Sequence, residues 1–377
     1  CNSDHLIQLH DFGETPLADR LVRPGTPAEN EPRAPLVLAL CQNCSLVQIT
    51  VSVDPEVLFG GDYLYLSSVS QSLLRHFSES AHDITAREGL CADSFVFEIA
   101  SNDGYMLQVF KQAGIRVLGV DPAEAPSSAA ISAGIATIQD FFGAELAKEI
   151  ASEHGQADVV LANNVLAHVR DLQGLVAGIS TMLKPSGVAV IECPYVLDLV
   201  DGGEFDTIYH QHLCYFSVTS LAQLFANHGL ELVDVQRTQI HGGSLRLSVS
   251  HKGARELSAN VAQMLAQEAQ RQITSPAAYA KLFELSEGIR QTLVPMIRRL
   301  RSEGARIAAY GAAAKATTLL AYCGLEAEDI DFIADLNERK QGWLMPGATF
   351  SIVSPTEIEQ RRPDYLLILA WNFADEI

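Results

Sequence analysis

Apolar positions fall into two rhythms along the chain. Between residues 95 and 250, short apolar runs alternate with stretches of helical periodicity, the pattern of a parallel sheet covered by helices on both faces. The run 95–99, Phe-Val-Phe-Glu-Ile, predicts a buried strand. A small polar turn, Ala100-Ser-Asn-Asp-Gly104, closes it, and Tyr105, Met106, Leu107, Val109 and Phe110 open a helix at once. Further strands are predicted over 117–120, 136–138, 157–162 and 188–192, with a helix over 127–133 and a turn at Lys184-Pro-Ser-Gly187. Residues 254–302 read as two long helices broken at Ser275-Pro276. The α/β rhythm restarts with a strand over 306–310, a helix over 316–323, and strands over 330–334 and 365–370. Residues 1–50 differ: glycines and prolines from Gly13 to Pro35 make a loop-rich segment with little core of its own, and a helix over 72–87 follows it.

The fold class is therefore α/β, and 377 residues exceed one ordinary core. We divide the chain into a small N-terminal domain (1–75), a central α/β domain (76–250) and a C-terminal Rossmann-like α/β domain (251–377). A net charge of −20 argues against nucleic acid, whose phosphates need clustered Lys and Arg. No apolar stretch approaches the roughly 20 residues of a membrane span. Seven cysteines, an odd count mostly placed singly in apolar patterns, suit a reducing cytoplasm. A monomer is expected.

The candidate chemistry lies at strand ends. In a doubly wound fold, ligands bind outside the carboxyl ends of the strands, near the crossover. The turn after the 95–99 strand and Asp121, which ends the next strand, suit an adenosine-bearing cofactor, with the carboxylate accepting from ribose hydroxyls. A nicotinamide cofactor normally requires G-x-G-x-x-G, and only Gly104 is available in this turn. Asp140-Phe-Phe142 would flank an adenine ring. Cys41-Gln-Asn-Cys44 has the spacing that places two thiolates on one metal ion, Cys1 offers a third ligand, and His5 and His10 are poorer candidates. The densest reactive cluster is Tyr209-His-Gln-His212-Leu-Cys-Tyr-Phe-Ser217. A neutral imidazole is a suitable general base near pH 7; H-x-H is also a metal-ligand spacing. Ser244 and Arg246, after the Gly-Gly turn at His241, and Lys315, at a helix N-terminus, are candidates to hold an anionic group.

The order of strands, ending in the Leu-Lys-Pro-x-Gly turn, resembles class I S-adenosylmethionine (SAM) methyltransferases. More specifically, the whole chain resembles the sugar C-methyltransferases that act on nucleotide-linked deoxy-keto-sugars in antibiotic biosynthesis. The resemblance rests on Cys41-x-x-Cys44, Tyr63-Leu-Tyr65-Leu-Ser-Ser, Glu98-Ile-Ala-Ser-Asn-Asp-Gly104, Asn163-Asn164-Val-Leu-Ala-His168, the 209–217 cluster, His241-Gly-Gly-Ser244 and Tyr310-Gly-Ala-Ala-Ala-Lys315. It implies a zinc-binding N-terminal domain, a central SAM domain and a C-terminal domain that holds the nucleotide. It also implies a fourth zinc cysteine three residues before Cys1. Catalytic candidates are His212, Tyr63, His168, Tyr209 and Gln211. Cofactor candidates are Glu98, Ala100, Asn102, Gly104, Asp121, Asn163 and Asn164. Substrate candidates are His241, Ser244, Arg246 and Lys315, with Lys315, Ser244 and Arg246 at the diphosphate; zinc ligands are Cys1, Cys41 and Cys44. The expected partner is a nucleotide-diphosphate sugar. Family members carry Glu where this chain has Gln211, which rules out a carboxylate base there. The expected reaction is removal of a proton beside a ketone by His212, with Tyr63 and His168 on the enolate oxygen, and methylation of that carbon. An O- or N-methyltransferase and a non-catalytic nucleotide-sugar binder are the alternatives.

Overall fold

The computed structural model describes residues 1, 3–27, 30–54, 57–58, 70–347 and 350–377. Tyr63 and Tyr65 lie outside the described residues.

Near the N-terminus, β1 (Leu6–Pro16) pairs antiparallel with β2 (Arg33–Cys41), and β3 (Val47–Ile49) adds to β2. Leu36, Leu38 and Leu40 alternate along β2 and are fully buried, as one face of a strand should be. They do not close a core of their own. Their cluster continues through Phe205, Ile208 and Tyr215 to Ile307 and Leu319, so these strands pack on the last third of the chain.

The helix Gln71–Glu88 comes next. Ser70 caps it by accepting from the Leu73 N–H, Leu73, Phe77, Ala81 and Ile84 bury one face, and Gly89 ends it in a left-handed conformation. The central strands are β4 (Phe95–Ile99), β5 (Arg116–Val120), β6 (Thr137–Ile138), β7 (Ala157–Asn163), β8 (Leu183–Pro194), β9 (Cys214–Tyr215), β10 (Leu230–Thr238) and β11 (Ser244–His251). Seven of them form a sheet in the order β10-β11-β8-β7-β4-β5-β6, parallel except that β11 runs antiparallel to both neighbours. The remaining strand, β9, pairs with β3 in the first sheet. All five residues of β4 are buried, because helices cover both faces of a central strand.

Two local expectations shift. The helix after β4 begins only at Leu107, since Gly104 first closes a turn onto Ser101. The expected turn at 184–187 lies inside β8: Leu183 pairs with Ala157, a register shift follows, and Val188 pairs with Val159. Gly187 permits that bulge, because a Cβ there would sit 2.9 Å from the Ala157 carbonyl oxygen.

The helices Ala259–Gln270 and Ala280–Ser302 follow, separated by a short turn at Pro276–Tyr279. The last sheet is all parallel, β12 (Ile307–Tyr310), β13 (Ile333–Ala334), β14 (Ile352–Val353) and β15 (Tyr365–Ile368), in the order β14-β13-β12-β15. Each parallel sheet has a switch point, at β4 between β5 and β7, and at β12 between β13 and β15. A crevice opens at the carboxyl end of each.

Candidate active site

The first crevice is built by the turn after β4. Ala100, Asn102 and Gly104 all take left-handed φ values, 54°, 51° and 76°. The turn thus has the alternating conformation of a glycine loop, made with one glycine. Asn visits this region readily; Ala does so at roughly 1–2 kcal/mol. Counting glycines therefore underestimates how closely the backbone follows the dinucleotide-type turn, while the added Cβ atoms keep a pyrophosphate at a greater distance. Replacing Ala100 with Gly is expected to change stability by no more than about 1 kcal/mol, in the stabilising direction, since strain relief is opposed by the freer unfolded chain. Denaturant unfolding checks this; a clear loss would mean that the Ala100 methyl packs usefully.

Asp121 is pinned at the end of β5. Its Oδ2 accepts from the Asn102 N–H and its Oδ1 from the Ala123 N–H, both at 2.9 Å. Each oxygen keeps a second lone pair. Glu98 is wholly buried, and burial pushes its carboxyl up to about 8, so it is protonated at neutral pH. Asn163 donates to Glu98 Oε1 at 3.2 Å; Glu98 Oε2 and the Oδ1 of Asn164, itself left-handed at φ 54°, are buried with no partner among the described residues. Phe142 packs on Phe97, whereas Phe141 is exposed.

The reactive cluster lies beyond β7. His168 sits in the turn Leu166–His168, and its Nδ1–H donates to the Gln211 carbonyl at 2.7 Å. The Nδ1–H of His212 donates to the Thr207 carbonyl at 2.9 Å. A carbonyl can only accept, so both rings are protonated on Nδ1 and carry their lone pair on Nε2. The two rings are 4.9 Å apart. Burial lowers both pKa values, and His168 lowers that of His212 further, so both imidazoles are neutral at pH 7. The Tyr209 hydroxyl donates to His212 Nε2 at 2.9 Å. His212 therefore meets the site through Tyr209 rather than directly. Gln211 is buried, with Nε2 lacking a partner. His210 turns away to the Pro35 carbonyl, so the H-x-H pair does not converge on a metal.

The three residues expected at the diphosphate are engaged elsewhere. Arg246 lies on Glu192, Nε to Oε2 at 3.1 Å, with His76 Nε2 at 2.8 and 3.0 Å from the two Glu192 oxygens. The Ser244 hydroxyl donates to the Ile240 carbonyl. Lys315 is largely buried, its ammonium 4.1 Å from the centre of the Trp371 ring and within the field of Asp206 and Glu204; burial lowers its pKa and the two carboxylates raise it. The Trp371 indole N–H donates to Asp206 at 2.8 Å. Burial, then Lys315, brings the buried His241 down to about 4.

Cys1, Cys41 and Cys44 converge, their sulfur atoms all within 4.8 Å and Cys1 to Cys41 at 3.5 Å. Tetrahedral zinc with Zn–S of about 2.3 Å places sulfurs about 3.8 Å apart, so the set fits zinc. His10 instead stacks on Phe283. Three thiolates fill three of four positions, so elemental analysis is expected to find zinc that a chelator strips, with a fall in melting temperature. Well-folded, metal-free protein of unchanged melting temperature would refute this.

Three family models match in succession: residues 1–59 fit "Putative zinc binding domain", residues 74–235 "Methyltransferase domain", and residues 239–377 "C-methyltransferase C-terminal domain". The C-methyltransferase NovU of Streptomyces niveus is 38% identical over 378 residues, covering all of this chain and 90% of that protein. The chain belongs to the C-methyltransferase family. A ubiquinone biosynthesis O-methyltransferase of Acinetobacter baumannii is 27% identical over 170 residues, 40% of this chain and 70% of that protein. Among solved structures, magnesium protoporphyrin IX methyltransferase from Synechocystis PCC 6803 with bound SAH aligns with a TM-score of 0.39 at 14% identity, over 49% of this chain and 89% of that one.

This C-methyltransferase depends on SAM, and its first crevice fits that cofactor. The spare lone pairs of Asp121 suit ribose hydroxyls, and the unpartnered oxygens of Glu98 and Asn164 suit the amino-acid end. Among the described residues, no helix is long and apolar enough to cross a membrane. Sequence reasoning missed His76, Glu192, Asp206 and Trp371, which matter only through partners distant in the chain. It also passed over Asp335, although that residue ends a strand as Asp121 does.

Proposed function

We propose that this C-methyltransferase methylates the carbon beside the ketone of a nucleotide-linked deoxy-keto-sugar. The observation that carries the substrate reading is a second clasp like that of Asp121. At the β12 switch point, Asp335 Oδ2 accepts from the Ala312 N–H at 2.7 Å and Oδ1 from the Asn337 N–H at 2.8 Å. In both sheets the oxygens are spent in the same way, on the first turn of the crevice and on the residue two further on. A carboxylate held so presents its remaining lone pairs to a sugar diol or hydroxyl. A chain with two such crevices suits one nucleoside in the cofactor and another in the substrate. On this reading residues 1–75 are the zinc-binding part, 76–250 hold SAM and 251–377 hold the nucleotide, in a cytoplasmic monomer.

Bound SAM supplies an electrophilic methyl group; the chain's task is to make a carbon nucleophile. The Tyr209–His212 pair takes the proton beside the ketone, with the proton ending on His212 Nε2. The Thr207 carbonyl stabilises the resulting imidazolium through Nδ1–H. His168, with Tyr63, positions the sugar and its developing enolate oxygen. Glu98, Asn102, Asp121, Asn163 and Asn164 orient the cofactor. Zinc on Cys1, Cys41 and Cys44 braces the N-terminal strands.

The test is incubation with labelled SAM and a panel of keto-sugar nucleotides, with hydrogen–deuterium exchange at the carbon beside the ketone followed by NMR. Label on that carbon, and exchange that requires the protein, are expected. Label on oxygen or nitrogen without such exchange would overturn the reading.

A further inference from the structure

With Arg246, Ser244 and Lys315 engaged, the diphosphate of the proposed substrate needs other cations. In a chain of net charge −20, one cavity is lined by two arginines. It lies between the loop after β1 and the segment before β14, has a volume of about 380 Å³, and is lined by Asp19, Arg20, Arg23, Asn30, Glu31 and Trp343, among others. That volume is within the range of small-ligand sites, roughly 300–1,000 Å³.

The electrostatics favour an anion. Asp19 is neutralised by Lys340, whose ammonium lies 3.4 Å from its Oδ1, and Glu31 accepts the Gly347 N–H. Arg23 lies over the Trp343 ring, 5.2 Å from its centre. The Arg20 guanidinium makes no hydrogen bond or ion pair among the described residues. The walls are fixed to one another: Val22 and Leu344 exchange two backbone hydrogen bonds at 2.9 and 2.8 Å. The cavity also adjoins both ends of the proposed substrate path. Lys340 donates to the Ala312 carbonyl at 2.8 Å, and Ala312 is the residue clasped by Asp335. On the other side, the charge of Asp19 is felt by His168.

We propose that this cavity receives the diphosphate and base of the nucleotide, with Arg20 and Arg23 on the phosphates and Trp343 as the wall against the base. Guanidinium groups suit phosphate through paired N–H donors, and an aromatic face suits a nucleobase. This inference rests on the nucleotide-sugar reading, and one experiment separates the two. The full chain is titrated calorimetrically with dTDP, with UDP and, separately, with S-adenosylhomocysteine. Wild type is expected to bind at least one of the two nucleotides. Arg20→Ala should weaken that binding at least tenfold, Arg20→Lys less, and Trp343→Leu several-fold, with S-adenosylhomocysteine affinity and melting temperature unchanged. If wild type binds nucleotide and all three variants match it, the cavity is not the site, although the nucleotide reading stands. If wild type binds neither nucleotide, both readings fall.

Discussion

His212→Asn is expected to lower methyl transfer by at least two orders of magnitude while leaving S-adenosylhomocysteine affinity and melting temperature near wild type. Asn can still donate an N–H toward the Thr207 carbonyl, so the loop 207–212 keeps its anchor. What it cannot do is accept a proton, and positioned general bases contribute about 10²–10⁴ in rate. Deuterium exchange beside the ketone should fall in parallel, since it reports proton removal alone. Tyr209→Phe tells whether the tyrosine relays the proton or only covers Nε2: a relay makes its loss as large as that of His212→Asn, whereas a cover leaves exchange near wild type. Near-normal turnover in His212→Asn would refute the assignment. The pH profile gives a second check. Burial and the neighbouring His168 hold His212 neutral below the ordinary histidine value of 6.5, so the base remains competent as pH falls through 6.5. The acid limb of kcat/KM should lie below that pH; a limb above it would point to a different base.

The central strands were legible in the sequence because their two covered faces leave continuous apolar runs, as in β4 and β7. The candidate cofactor residues were legible because they lie within one turn of those runs. Tyr209 and His212 are three residues apart, so their contact needs only a local bend. Backbone conformation was less legible: nothing in the residue types Ala100 and Asn102 announces left-handed φ, which the hydrogen bonds closing the crevice impose. Charge pairing was less legible still. Arg246 finds Glu192 at a separation of 54 residues and His76 at 170, so no local pattern distinguishes a committed guanidinium from one awaiting an anion. Lys315 has the same history, because the ring beneath it, Trp371, arrives two strands later. Residues 14–32 were read only as loop, since a pocket closed by Trp343 exists only once the first and last thirds meet.

Asp121→Asn is expected to weaken S-adenosylhomocysteine binding about 100-fold or more, nearly as much as Asp121→Ala. The near-isosteric change is severe because both Asp121 oxygens accept from backbone N–H groups. An amide has one oxygen, so its NH2 must face either the Asn102 N–H or the Ala123 N–H, donor against donor. One of those buried donors loses its partner, the left-handed residue Asn102 loses its tether or the following helix its first turn, and a ribose hydroxyl loses a charged acceptor. Hydrogen bonds to charged groups contribute about 1.5–3 kcal/mol each, and 1.4 kcal/mol is tenfold in affinity. Calorimetric titration measures the effect, and wild-type affinity in Asp121→Asn would remove Asp121 from the ribose. The matching change at the other switch point, Asp335→Asn, should leave S-adenosylhomocysteine binding unaltered and weaken nucleotide binding instead. Two clasps of one geometry that respond to different ligands would establish that the two crevices are separate sites, which a transfer between a nucleoside-bearing donor and a nucleoside-bearing acceptor requires.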